Sequence, residues 1–169
     1  QGGETLTLSG SGTAASANVA NGITMSSNGN LALADGTGAA SNYSLNSTVI
    51  NIAKRVLNSS GSKIYDANTN ALAGAITLSN LVSGEALNHS GTATISSANA
   101  GSYTISNLTG ITIADGSGGT ASNYTLTGGT HNFTVNPKVV SIQGNKTYDG
   151  NTTISSSDIT SITGTVGSE

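Results

Sequence analysis

Cysteine and tryptophan are absent from the 169 residues, proline occurs once, and the chain carries only six aromatic rings and 13 charged side chains. Without cysteine there is neither a disulfide framework nor a thiolate zinc site. Five basic residues against eight acidic ones, net −3, exclude a basic nucleic-acid surface. No apolar run approaches the roughly 18 residues of a membrane-spanning helix, so no membrane insertion is expected. Catalytic groups are equally scarce. No serine sits in a Gly-x-Ser-x-Gly elbow, and His89 and His131 have no partners at convincing spacing. Neither an enzyme nor a cofactor is expected.

What is abundant is small and polar. Gly (23), Ser (26), Thr (24) and Asn (19) make over half the chain. Such a composition fits either a disordered tract or an all-β protein with Thr and Ser facing outward. The pattern decides for strands. Leu6 and Leu8, Ile111 and Ile113, Phe133 and Val135, and Val140 and Ile142 each stand two apart, between clusters of turn-forming residues. Helical spacing is not sustained anywhere.

Self-comparison reveals a repeat. Ser41-Asn42-Tyr43-Ser44-Leu45 returns as Ser122-Asn123-Tyr124-Thr125-Leu126, an offset of 81. Asp35-Gly36-Thr37-Gly38 returns as Asp115-Gly116-Ser117-Gly118, and Lys63-Ile64-Tyr65-Asp66 as Lys146-Thr147-Tyr148-Asp149. Glu4, Glu85 and Glu169 follow the same period, and of all the charged residues only Lys54 and Asp158 fall outside it. Charges placed by a repeat point to architecture before chemistry. Pro137 cannot donate to a ladder and suits a boundary. Residues 54–136 are therefore expected to form one complete repeat, with 1–53 the later part of a repeat and 137–169 the opening of the next.

The Lys-x-Tyr-Asp-Gly stretch at Lys146, Tyr148, Asp149 and Gly150, the Ser-Asn-Tyr-Thr-Leu strand and the closing Phe133-Thr134-Val135 resemble the YDG-type repeats of large bacterial surface proteins. Such repeats, with the related MBG type, occur in filamentous-haemagglutinin-like adhesins exported by two-partner secretion. The resemblance implies tandem small β-domains in an elongated array, immunoglobulin-like sandwiches first and β-grasp-like units with a short helix second. It also implies a place at the bacterial cell surface, in a stalk, filament or biofilm matrix. Ala67 stands where the motif has Gly, so no strongly positive φ is expected there.

For Lys63, Tyr65, Asp66 and their counterparts Lys146, Tyr148 and Asp149, the expected role is structural: Tyr on the core, Asp capping a turn. Asp35 and Asp115 are expected as turn residues, one carboxylate each being too few for calcium. The two histidines are expected at the surface or in loops. A Lys–Asn crosslink at Lys63 or Lys146 would suit a stalk, yet no acidic catalyst is evident beside them.

Two functions follow. The first is a structural segment whose partners are neighbouring copies or repeats of itself, end to end. The second is a carbohydrate-binding module presenting Tyr43, Tyr103 or Tyr124 to extracellular polysaccharide or host glycans. Nine Asn-x-Ser/Thr sites make glycosylation chemically open.

Overall fold

The computed structural model describes residues 3–46 and 49–167. The repeat position Glu169 lies outside them. Every regular element among the described residues is a strand or a three-residue 3₁₀ turn, so the all-β reading holds and the short helix of the β-grasp alternative is not found. Two compact units are present, residues 1–55 with 122–125, and residues 56–121 with 126–169.

In the first unit, β1 (Leu6–Ser9) pairs antiparallel with β4 (Ala32–Asp35). A second sheet runs β2 (Thr13–Ala14), β3 (Ala20–Ser27), β5 (Val49–Ile52). Asn30 Oδ1 accepts the Ser11 amide at 2.8 Å and ties the two hairpins at their turn. Ile23 on β3 is the one buried large side chain among the described residues before Val56, and Tyr124 is the other in this unit.

After the short β6 (Arg55–Val56), the second unit contains β7 (Asn58–Ile64), β8 (Asn70–Leu72), β9 (Ile76–Ser79), β10 (Leu87–Ile95), β11 (Gly101–Asn107) and β12 (Ile111–Asp115). Past β13 (Tyr124–Thr125) come β14 (His131–Asn136), β15 (Ser141–Gly144) and β16 (Ile159–Thr163). Strands β12, β10, β11, β14, β7 and β9 lie in that order in one sheet, with β8 also on β10. All its pairings are antiparallel except β14 with β7, which is parallel over six residue pairs from His131↔Ser59 to Asn136↔Ile64.

This order nearly closes a barrel. Residues 70–79 pair with β10 through β8 and with β7 through β9, and the 3₁₀ turn Ala73–Ala75 between them forms the seam. The expected sandwich of two stacked sheets is therefore replaced by one curled sheet. The physical reason lies in β10. At Gly91 (φ +101°) the strand bends, so its first half pairs with β12 while its second half lies between β8 and β11. A side chain at 91 would collide with the Gly110 carbonyl. Inside the ring, Ile76, Ile95, Ile105, Ile111, Phe133 and Val135 pack against Ala71, Ala73 and Ala93. Closure removes most strand edges, which stabilises so thin a core.

The same registers recur in the flanking segments. Leu6↔Asp35 matches Leu87↔Asp115, Ala14↔Met25 matches Ile95↔Ile105, and Ala20↔Ile52 matches Gly101↔Val135. Gly144↔Ile159 matches Gly61↔Ile76, after which β16 carries one extra residue against β15.

Candidate functional site

Alternation along β7 turns Leu57, Ser59, Gly61 and Lys63 to one face. Leu57 and Ser59 are buried, and Lys63 reaches the rim with its side chain largely covered. Its ammonium meets four oxygens of the following loop: Asp66 Oδ1 at 2.8 Å, the Asn68 carbonyl at 2.7 Å, Asn68 Oδ1 at 2.9 Å and the Asn70 carbonyl at 2.9 Å. The loop is shaped by two successive Asx turns. Asp66 Oδ1 accepts the Asn68 amide at 3.2 Å, and Asn68 Oδ1 accepts the Asn70 amide at 2.9 Å.

The second copy is built alike. Lys146 pairs with Asp149 and donates to the Asn151 carbonyl at 3.1 Å and Asn151 Oδ1 at 3.2 Å. Asp149 Oδ1 accepts the Asn151 amide at 3.1 Å, and Asn151 Oδ1 the Thr153 amide at 3.0 Å. The working motif is thus Lys-x-Tyr-Asp-x-Asn. Asn68 and Asn151 share the offset of 83 with the lysines and could have been included on that ground.

One expectation at this loop is corrected. Ala67 has φ +61° and Gly150 φ +77°, so the turn demands the left-handed region in both copies, and Ala67 adopts it against the steric preference of its Cβ.

Burial pushes the Asp66 carboxyl up, but the Lys63 hydrogen bond and charge together with the Asn68 amide outweigh it and hold it below the usual carboxylate range. Asp149 is lowered by the Lys146 hydrogen bond first and by the Asn151 amide second. Both carboxylates are ionised at neutral pH. Each lysine nitrogen is surrounded by oxygens of its own loop, an arrangement that holds the loop closed.

The tyrosines divide sharply. Tyr65 packs on the barrel core, and its counterpart Tyr148 is 93% exposed. Tyr124 is buried, which corrects its assignment as a glycan-facing ring. Tyr103 is half-buried against the core, with its ring over Gly101. Tyr43 is the one of the three with an exposed ring, and its hydroxyl donates to Glu4 Oε2 at 2.5 Å, which raises the phenol above its ordinary range.

The histidines also differ from expectation, because both lie on strands and both are partly buried. His89 on β10 sets Nε2 3.1 Å from the Ala73 carbonyl and 2.9 Å from the Ile76 carbonyl, bridging the barrel seam. Two carbonyl acceptors require that Nε2 carry the proton. His131 on β14 donates from Nε2 to the Leu126 carbonyl at 2.8 Å and faces Ser59 Oγ through Nδ1 at 2.9 Å.

Asp35 and Asp115 each accept one amide, from Ala40 at 2.6 Å and Ala121 at 2.7 Å, and so anchor the turns that follow. Among the described residues no group of three or more His, Asp or Glu side chains is placed to hold a metal, and no helix is long and apolar enough to cross a membrane.

Comparison with curated proteins and with solved structures gives no match. Comparison with family models gives one match: residues 53–132, which cover the barrel from β7 to the start of β14, match the YDG domain. A YDG domain occupies that stretch of the chain.

Proposed function

We propose that this chain is a load-bearing segment of an extracellular bacterial fibre, the stalk of an adhesin or a biofilm matrix protein, in which YDG-type units follow one another end to end. The observation that supports this reading is the parallel pairing of β7 with β14, the strands by which the chain enters and leaves the barrel. Tension applied through the flanking chain pulls parallel neighbours in opposite directions along their axes. All the ladder bonds between them are then loaded together in shear. Antiparallel partners pulled apart across the ladder would instead release one pair at a time. Resistance to force is governed by the unfolding rate, which such a geometry lowers.

The low charge and the abundance of Thr and Ser suit a structural role. The carbohydrate-binding reading loses Tyr124 to burial and finds Tyr103 half-covered.

Location is tested by labelling intact cells of the bacterium that carries this sequence with antibodies raised against residues 53–132. Labelling without permeabilisation is expected. Labelling that requires permeabilisation contradicts the proposal.

A further inference from the structure

Ala121–Asn123 forms a 3₁₀ turn between β12 and β14. By sequence it lies inside repeat 54–136, yet Ser122–Thr125 group by contact with the first unit. Asn123 holds the turn there. Its Oδ1 accepts the Val19 amide at 2.9 Å, and its Nδ2 donates to Asn18 Oδ1 at 2.9 Å. A carboxamide offers an acceptor and donors, and this one uses both kinds on a single loop. The loop is shaped to receive it, because the Asn18 amide donates to Ser16 Oγ at 3.0 Å and closes a Ser-Ala-Asn turn. The next residue adds burial. Tyr124 is 2% exposed, yet it lies outside the cluster of side chains that forms the barrel core.

Both halves of this contact return at the repeat offset of 81. Asn42 closes the 3₁₀ turn Ala40–Asn42 as Asn123 closes Ala121–Asn123. Asn99 stands where the offset carries Asn18, and its amide donates to Ser97 Oγ at 3.2 Å in a second Ser-Ala-Asn turn. The inserting turn and the receiving loop are thus kept in each copy, built from the same residues.

We infer that the Ser-Asn-Tyr turn is a docking element for the preceding repeat: Asn123 and Tyr124 belong to one repeat and stabilise the one before it, through the loop at residues 16–19. This rests on the end-to-end reading above and names a contact through which successive repeats share stability. Chain connectivity alone would leave neighbouring repeats to open independently. An element of one repeat built into its predecessor makes opening of the first depend on the second, the nearest-neighbour term of repeat arrays.

Hydrogen exchange of the full chain, followed by NMR, tests this residue by residue. Asn123→Ala removes both hydrogen bonds at one site. The Val19 amide and those of β3 and β5 are expected to exchange several-fold faster, while β10, β11 and β14 keep their wild-type rates. The unchanged barrel amides also show that the variant is folded. Equal acceleration in the barrel would mean that Asn123 supports its own repeat, and unchanged rates in β3 and β5 would mean that the contact carries no coupling. Either result overturns the inference. Exchange reads this coupling alone, whereas labelling of intact cells reads the location, so one can fail while the other stands.

Discussion

The ring of Phe133 lies on the backbone of Gly61, so closely that a Cβ at Gly61 would stand 2.7 and 2.8 Å from two ring carbons. The two residues are register partners in the parallel pair that joins the strands entering and leaving the barrel. Glycine weakens a strand in isolation, and here it admits the largest core side chain against the backbone. Gly61→Ala would also collide with the Ala75 carbonyl on the other side. It is expected to destabilise the domain by about 1–3 kcal/mol, as overpacking typically does. Urea unfolding checks this, and an unchanged midpoint would mean the contact has slack.

At Ala67 the sign reverses. A left-handed Ala costs about 1–2 kcal/mol, and Gly forfeits roughly 0.5–1 kcal/mol of that through unfolded-chain entropy. Ala67→Gly is therefore expected to stabilise by about 0.5–1 kcal/mol in thermal or urea melts. Gly150→Ala is expected to do the opposite to its own loop.

Acid should loosen both Lys–Asp loops. Asp66 and Asp149 are held below the ordinary Asp value, so their contribution is complete above about pH 4, the unfolded value. It is lost as pH falls through the depressed folded values. The Asn68 and Asn151 amides accept this change directly, since each donates to the titrating carboxylate. Their NMR shifts should titrate with midpoints below about 4. In Lys63→Met the Asn68 midpoint should move upward. Midpoints at the ordinary value in the wild type would contradict the loop geometry.

His89 joins the two ends of the seam turn through one N–H. His89→Ala leaves those carbonyls without that donor and is expected to cost about 1–3 kcal/mol. Hydrogen exchange would localise the effect, with faster exchange in β8 and β9 than in β14. Uniform acceleration across the barrel would mean that the seam does not open separately.

Much of this architecture was legible in the sequence. Phe133 and Val135 two apart did face one core, and the repeat of Lys-x-Tyr-Asp marked two loops of the same build. Barrel closure was not legible. It depends on a bend at Gly91 and on pairing between Ser59 and His131, 72 residues apart, neither of which leaves a local pattern. Ala67 misled for a physical reason, because its loop is over-determined by the Lys63 ammonium and two Asx turns that force φ positive whatever residue is there. Likewise, Tyr43 and Tyr124 repeat in sequence yet differ in exposure, since burial depends on which strands surround each copy.

The central claim is that the YDG barrel resists tension through β7 and β14. Optical-trap handles attached at Lys54→Cys and Lys138→Cys load that pair in shear, whereas handles at Ser60→Cys and Thr77→Cys, on facing residues of β7 and β9, peel strands apart. At equal loading rate the first geometry is predicted to unfold the domain at several-fold higher force. Equal forces in the two geometries would contradict the account.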